Sequence, residues 1–259
     1  LMLKMSGQQV GVWGEDPQIE SNGRLMLNEA WARINFATYF FAELGRQSLI
    51  DDDERILGGL DWNISGRFHD ALKLGFENEQ NKIHAILAFN QNEERIIGGT
   101  YYATGAQPYK TMQTLWYEYR NNPFWFSALL LNLGQEGGTP QDAKTLYMQT
   151  MGANVNYFPD NCRVGGTFYY QMGKTAANTD ISAWMASVNA SYFFTDYIGL
   201  KIGSDYLSGD DRQDAKYQAF NPLYGTHHKF YGSMDYFYAS AFNNGLNPGL
   251  WDNYIGIMY

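Results

Sequence analysis

Apolar and polar residues alternate along much of this chain with the period of two that β-strands impose. In the stretch "SAWMASVNASYFFTDYIGLKIGSDYL", Trp184 and Val188 fall on one face, while Ser187 and Asn189 fall on the other. After the "TD" turn the alternation resumes, with apolar Ile198, Leu200 and Ile202 against Gly199, Lys201, Gly203 and Asp205. A soluble sandwich with an apolar core and a membrane barrel with an apolar exterior both produce this pattern.

The alternation predicts about twelve strands across the chain. Their predicted bounds are 3–13, 25–36, 40–47, 68–77, 82–91, 110–120, 124–134, 144–157, 162–174, 181–194, 197–207 and 251–259. In "FWFSALLLNLG" the two faces do not resolve, because Leu129, Leu130 and Leu131 are all apolar.

Short and long connections alternate between these strands. The short ones are "ATY", "NEQN", "NNP", "FPDN" and "TD", and the long ones include 50–67, 92–109 and 208–250. A soluble sandwich has no reason to sort its connections in this way, whereas an outer-membrane barrel has tight periplasmic turns and long outer loops. The connections therefore favour the barrel.

Aromatic residues stand beside the tight turns, as in the interfacial girdle of a membrane barrel. Phe36 and Phe40 flank one turn, Tyr157 and Phe158 lie at another, and Tyr197 follows a third. The apolar face is then the lipid-facing one, and the polar face lines a wet lumen. The soluble alternative would place the same aromatic residues in a core.

Composition and charge restrict the class of protein and the partners that this chain can bind. The chain has 259 residues, of which 17% are aromatic, and no run approaches the roughly 18 apolar residues of a transmembrane helix. The net charge of −9 comes largely from acidic clusters in the connections, which makes nucleic acid a poor partner. Cys162 stands alone, so no intrachain disulfide is expected.

Because the chain opens directly on a strand-like segment and ends inside another, we expect a single barrel domain that is truncated at both ends.

Five segments carry a family resemblance: "VWGEDPQ", "LNEAWARINF", "LGRQSLIDDDERILGG", "SGRFHDALKL" and "NPLYGTHHKFYGSMDYF". With these segments in this order, the chain resembles the alginate-export family of outer-membrane β-barrels, in particular the porins of Bacteroidota-type bacteria. The resemblance implies a transmembrane antiparallel up-and-down barrel of about 18 strands, with this chain as its central portion. It also implies a Gram-negative outer membrane as the location, and passage of an anionic polysaccharide or of small polar solutes.

A pore for carboxylated sugars needs cationic side chains interspersed with acidic ones. The charged candidates for the solute path are Glu29, Arg33, Arg46, Asp52, Asp53, Arg55, Arg67, Lys73, Arg163, Lys201 and Asp205. For each of them, a solvated lumen residue without a role in selectivity is an equally good interpretation. Strict alternation places Arg46 on the lipid face, so it must lie at the rim, follow a bulge or be misassigned.

Two long connections are expected to shape the pore. We expect 50–67 to fold inward as a constriction loop, at whose inner end Arg33, Arg46, Arg55 and Arg67 converge. We expect 208–250 to be an outer loop that plugs or lines the mouth, and it contains the motif residues His227, His228 and Lys229. Adjacent histidines generally point apart, so packing is favoured over a metal site.

Other classes of function remain as alternatives. Some outer-membrane barrels are enzymes with a lipid-facing Ser/His pair, but His69 and His84 both have inward parity here. An adhesin or assembly partner would use the acidic loops to bind surface ligands or divalent ions. The sequence favours a passive channel with no cofactor, metal or catalytic residue, and its alternative is a general porin for sugars or small anions. Outer-membrane lipid is an expected partner, and periplasmic export partners are not identified.

Overall fold

The structure is a computed structural model that describes residues 1–11, 24–60, 66–90, 102, 108–232 and 248–259. The segment "VWGEDPQ", the end of "NPLYGTHHKFYGSMDYF", and parts of the connections 50–67, 92–109 and 208–250 lie outside the described residues. The described residues form twelve strands: β1 (Met2–Val10), β2 (Arg24–Asn35), β3 (Phe40–Gln47), β4 (His69–Glu77), β5 (Asn81–Phe89), β6 (Thr111–Asn121), β7 (Phe124–Glu136), β8 (Thr145–Tyr157), β9 (Cys162–Lys174), β10 (Asp180–Phe193), β11 (Gly199–Leu207) and β12 (Leu250–Met258).

The strands build one antiparallel sheet in which each strand pairs with its neighbours in chain order. This up-and-down order confirms the all-β fold class and the predicted strands, whose bounds agree to within a few residues. Between β1 and β12 the described sheet is open. No helix within the described ranges combines the length and the apolar character needed to cross a membrane.

The two faces of the sheet differ in what covers them. One face, which we call the covered face, carries residues 48–60 and 208–232, whereas the opposite, bare face carries none of the described segments. On β10, Ser187 is 2% exposed on the covered face and Val188 is 61% exposed on the bare face. The predicted alternation of polar and apolar faces is thereby confirmed on this strand.

The strand that the sequence left unresolved shows why an apolar residue can occupy either face. Leu129 and Leu131 are each 2% exposed on the covered face of β7, and Leu130 between them is 54% exposed on the bare face. All three are apolar because the covered face is itself apolar at this level, where it packs against the segments that lie on it.

Residues 48–60 and 208–232 form an inner layer on the covered face. Leu49, Ile56 and Leu57 from the first segment and Phe220 and Tyr224 from the second share a buried core with the sheet. This core lies toward the long connections, where the covered face contributes Ile86, Met112, Leu131, Leu133, Met185 and Leu207. The expectation that this face is polar is therefore wrong for the half of the sheet near the long connections, whereas charged and amide side chains lie on the half near the short turns.

Connection lengths largely follow the predicted alternation. The connections 36–39, 78–80, 122–123, 158–161 and 194–198 lie at one end of the strands, and 48–68, 90–110, 137–144 and 208–249 lie at the other. The connection 175–179 is the exception, since it lies at the long-connection end and is no longer than 194–198.

Aromatic residues of the bare face gather at both ends of the strands. Beside the short turns, Phe40 packs against Phe76 with ring centroids 5.0 Å apart. Toward the long connections, Trp184 stacks on Tyr206 at 4.7 Å. We call these groups the short-turn belt and the long-connection belt; the exposed members of the first are Phe36, Tyr39, Phe40, Phe124, Tyr157, Phe158, Tyr192, Phe194 and Tyr197, and those of the second are Phe89, Tyr147, Trp184, Tyr206 and Trp251.

Candidate channel interior

Residues 48–60 leave β3 and cross the covered face. The Asp52 carboxylate accepts a hydrogen bond from Trp116 Nε1 on β6 (2.7 Å) and another from the Tyr169 hydroxyl on β9 (3.2 Å). Asp52 and Glu54 have φ of 56° and 72°, a left-handed conformation that Asp tolerates better than most residues and that turns the segment sharply. The segment that follows β3 is thus hydrogen-bonded through Asp52 to β6 and β9 on the covered face.

Asp52 titrates at an unusual pH because of its surroundings. Burial raises the pKa of this loop carboxyl to about 6, against the hydrogen bond from Trp116, which lowers it. The adjacent charges of Asp51 and Asp53 raise it further. The carboxyl is therefore poised to take up a proton slightly below neutral pH.

Arg55 anchors the far end of this crossing. Its guanidinium forms ion pairs with Asp53 and with Asp205 of β11, both at 2.8 Å. It also donates hydrogen bonds of 3.1 Å to Ser187 Oγ on β10 and to the Tyr231 hydroxyl. The side chain is 5% exposed and Asp205 is 1% exposed, so these charges neutralise each other instead of facing a pore. We call this group, Arg55 with Asp53, Asp205, Ser187 and Tyr231, the Arg55 anchor.

The second segment of the inner layer is hydrogen-bonded to the first. Tyr224 N donates to Ile56 O (3.0 Å), and Gly58 N donates back to Tyr224 O (2.9 Å). Arg67 Nη1 donates to the Tyr224 and Gly225 carbonyl oxygens. Arg67 thus fixes the backbone of residues 224–225, a role that its charge alone did not indicate.

The histidine motif lies in this second segment. His227, His228 and Lys229 form one 3₁₀ turn, and Lys229 Nζ makes an ion pair of 3.1 Å with Glu54. Within the described ranges, no group of three or more His, Cys, Asp or Glu side chains could hold a metal ion. The motif therefore joins the two segments of the inner layer through Lys229.

On the side of β1–β4, the covered face carries a network of paired charges. Glu43 contacts Lys73 at 3.1 Å and Arg33 at 3.9 Å, and Arg33 also pairs with Glu77 at 3.3 Å. The Arg33 guanidinium lies 3.4 Å above the ring centroid of Phe41. Two of the predicted path residues, Arg33 and Lys73, thus have carboxylate partners. The central partner, Glu43, was not predicted, although its inward parity on β3 could have identified it.

A polar cleft opens beside this network. Its volume is about 390 Å³, and its walls include Lys4, Glu29, Asp51, Lys73 and His84. Glu29 is paired with Lys4 at 2.7 Å. The cleft therefore presents balanced charge to a solute.

Arg46 does not belong to the interior. It lies on the bare face near the long connections and makes a two-bond ion pair with Asp70, at 2.9 Å and 2.8 Å. The β2–β3 register runs without a shift from Asn35–Phe41 to Ala30–Arg46, so no bulge returns the side chain to the covered face. The expected convergence of four arginines is consequently wrong, because Arg46 lies on the opposite face and Arg55 is enclosed in its anchor.

Two predicted cations remain open to solvent, and they share a row. Ser191 on β10 is opposite Arg163 of β9 and opposite Lys201 of β11, so the three side chains lie side by side on the covered face near the short turns. Arg163 and Lys201 lie over the rings of Phe193 and Tyr254, at 5.1 Å and 5.0 Å from the centroids. Neither has a carboxylate oxygen within 4 Å in the part of the chain that the structure describes. We call Arg163, Ser191 and Lys201 the basic row.

A second row with little side-chain bulk lies next to the basic row. Asn156 and Asn189 flank Gly165, and Asn189 is opposite Gly203, which in turn is opposite Tyr254. The Tyr254 ring fills the space above Gly203, because an added Cβ there would lie 2.3 Å from it. The arrangement offers amides, an aromatic ring and two open cations to a solute.

Comparisons with known proteins give no family assignment. No family model matches the chain, and no curated protein matches it. The resemblance to the alginate-export family therefore remains a prediction.

Similar solved structures include an outer-membrane protein and a porin. They include OmpT of Vibrio cholerae, described as outer-membrane expressed, with 14% identity and a TM-score of 0.46 over 71% of this chain and 60% of OmpT. A loop L8 deletion mutant of OmpT has 15% identity and a TM-score of 0.46 over 71% of this chain and 63% of the mutant. The NanC porin has 11% identity and a TM-score of 0.37 over 100% of this chain and 99% of NanC. The chain thus corresponds to less than two thirds of the OmpT structures, and at these TM-scores the similarities assign no function.

Proposed function

We propose that this chain forms the wall of a β-barrel channel in the outer membrane of a Gram-negative bacterium. The observation that carries the proposal is the inverted sheet: large apolar side chains are exposed on the bare face, while the ion pairs of Arg33, Arg55 and Lys73 lie on the covered face. The exposed apolar residues include Leu44, Leu74, Leu87, Leu115, Leu130, Val155, Phe168, Val188, Ile202 and Ile255. They occur on every strand from β3 to β12 and so form an apolar surface that spans ten neighbouring strands. A soluble monomer rarely exposes an apolar patch of more than a few hundred Å².

The dimensions of the strands agree with a membrane location. A strand tilted by about 45° needs roughly 9–11 residues to cross the hydrocarbon region, and the strands here have 8–14 residues. The apolar surface ends at an aromatic belt on each side, as in outer-membrane barrels. The tight turns would then face the periplasm and the long connections the outside.

The solutes that we propose are polar, and include anionic saccharides such as alginate-like chains. The basic row supports an anionic solute, since Arg163 and Lys201 are the two path cations that are exposed and have no carboxylate neighbour in the described ranges. The neighbouring asparagines and Tyr254 are suited to sugar hydroxyls and to a sugar ring face.

The inner layer would narrow this path. Residues 48–60 cross the covered face and residues 208–232 pack on them, which supports a constriction from 50–67 and a lining of the outer mouth from 208–250. Solutes would pass beside the inner layer and then along the polar half of the covered face.

A general porin for sugars or small anions is the second candidate. It is favoured by the balanced charges on the β1–β5 side, because paired charges produce little net field. The pairs are Lys73 with Glu43, Arg33 with Glu77 and Lys4 with Glu29. The two candidates differ in how strongly the basic row should control selectivity.

Reversal-potential measurements on the full-length protein in planar bilayers test the proposal. Arg163→Gln with Lys201→Gln should lower the anion-to-cation permeability ratio, and sugar acids should block the wild type more strongly than the variant. Lys144→Gln is the matched control, because Lys144 is an exposed cation paired with Asp142 in a connection. A channel that conducts but has a ratio indifferent to the basic row would favour the general porin, and a protein that never conducts would contradict the channel itself.

A further inference from the structure

Three amide side chains form a hydrogen-bonded series on the bare face. Gln149 Nε2 donates to Asn132 Oδ1 and Asn132 Nδ2 donates to Gln113 Oε1, each at 2.7 Å. Gln113, Asn132 and Gln149 are directly opposite one another on β6, β7 and β8. We call these three residues the amide ladder.

The parity of the strands places the ladder on the lipid side. On β7, Asn132 alternates with Leu131 and Leu133, which are 2% and 1% exposed on the covered face. Leu130, the next residue on the same face as Asn132, is 54% exposed. The ladder is therefore surrounded by side chains of the apolar surface.

Along the strands, the amide ladder lies closer to the middle of the sheet than the long-connection belt does. Tyr147 of that belt lies on the same face of β8 as Gln149 and two residues nearer to the long connection, which is about 7 Å along a strand. On β5, Phe89 of the same belt lies two residues nearer to the long connection than Leu87, and Leu87 is opposite Gln113. The amides are thus on the hydrocarbon side of the aromatic residues.

The hydrogen-bonding capacity of the ladder is only partly used. An Asn or Gln side chain offers two N–H donors and a carbonyl oxygen with two lone pairs, so three amides can make many more bonds than the two that join them. Within the described ranges, Gln113 Nε2 and Gln149 Oε1 have no further hydrogen-bond partner. Such groups facing hydrocarbon carry a desolvation penalty, and polar residues at membrane depth are retained where another protein surface satisfies them.

We propose that the amide ladder is a contact surface for a second copy of this chain. Amides carry both donors and acceptors, so the ladders of two copies can complete each other's hydrogen bonds. A two-fold interface requires this kind of self-complementary surface.

The charge of the surface argues against an anionic lipid headgroup as its occupant. No Lys, Arg, Asp or Glu occupies the bare face of β6 from Thr111 to Tyr119, of β7 from Phe124 to Gly134 or of β8 from Thr145 to Tyr157. Phosphate recognition depends on such cations. The same face has small side chains where Ala128 is directly opposite Ala153, and small residues let two backbones approach closely.

The oligomeric state of the full-length protein in mild detergent and in lipid nanodiscs tests this inference. Native mass spectrometry of the wild type should show a multiple of the protomer mass. Asn132→Leu breaks both ladder bonds and should lower the oligomeric fraction about tenfold at equal concentration. Asn253→Leu is the matched control, since it makes the same replacement on the bare face of β12, away from the ladder, and it should assemble like the wild type.

Folding and membrane insertion are checked separately. Heat-modifiable gel mobility and bilayer conductance report whether Asn132→Leu is a folded channel, and Gln113→Leu replaces it if it is not. A wild type that conducts as a monomer, or a folded Asn132→Leu that assembles like the wild type, would overturn the inference while leaving the channel proposal intact. A monomer that retains lipopolysaccharide through the ladder would also overturn it and assign the surface to lipid. Failure of the channel proposal would instead appear as a protein that does not insert.

Discussion

Replacing Arg55 by methionine should release the inner layer from the sheet. Methionine keeps much of the aliphatic length of the side chain but removes the charge that faces Asp205, which is 1% exposed. Removing one partner of a buried ion pair costs about 3–5 kcal/mol, because the remaining charge is left uncompensated in a dry site. The cost falls on the docking of residues 48–60, because the partners of Arg55 lie on β10, on β11 and in 208–232.

The expected result is a more open channel rather than an unfolded one. In planar bilayers, Arg55→Met should have a larger single-channel conductance than the wild type, and limited proteolysis should cleave residues 48–60 faster. The double variant Arg55→Met with Asp205→Asn should recover part of the wild-type behaviour, since no lone buried charge remains. Its recovery measures the coupling between the two residues.

Arg46→Met is the matched control for this experiment. Arg46 is also paired with a carboxylate, Asp70, but at the ends of β3 and β4 beside the long connections, where water reaches the partly exposed pair and an ion pair contributes about 1 kcal/mol or less. Its conductance and cleavage rate should equal those of the wild type. Unchanged conductance and cleavage in Arg55→Met, or a double variant as damaged as the single one, would refute the anchoring role.

Two further predictions concern pH and packing. Because burial raises the pKa of Asp52 from 3.8 to about 6, the packed inner layer binds more protons than a detached one between these values, and acidification stabilises packing. Conductance should therefore fall as the pH is lowered from 7 to 4, and Asp52→Asn should hold it at the low-pH level throughout; a rise on acidification would contradict the assignment. Gly75→Ala should lower the urea midpoint in detergent by an amount equivalent to about 1–3 kcal/mol, because an added Cβ would lie 2.1 Å from the ring of Phe41. Gly256→Ala, with nothing within 4 Å of the added Cβ, is the control, and equal midpoints for the two variants would contradict the packing argument.

The strands and their faces could be predicted from sequence because alternation is a local property. Val188 and Ser187 show it within two residues, and the short turns bound the strands on one side. Leu129, Leu130 and Leu131 were ambiguous for a non-local reason, since the apolar covered face at that level exists only because the inner layer packs there.

The charged residues were harder to interpret because their roles depend on distant partners. Inward parity correctly placed Ser187 and Asp205 on one face, but it did not indicate that Arg55, well over a hundred residues earlier in the chain, lies between them. Arg67 was expected to contribute charge, and its hydrogen bonds go to backbone carbonyls of residues 224 and 225. Contacts between two long connections leave no periodic signal in the sequence.

The direct test of the central claim, that the bare face meets lipid and the covered face meets water, is a nitroxide scan along residues 184–191 of β10 in lipid bilayers. Collision with molecular oxygen, which concentrates in lipid, should be highest at positions 184, 186, 188 and 190. Collision with a water-soluble nickel chelate should be highest at 189 and 191, while both reagents should be excluded from 187, which the Arg55 anchor covers. Oxygen maxima at the odd positions, or no period of two, would contradict the membrane barrel.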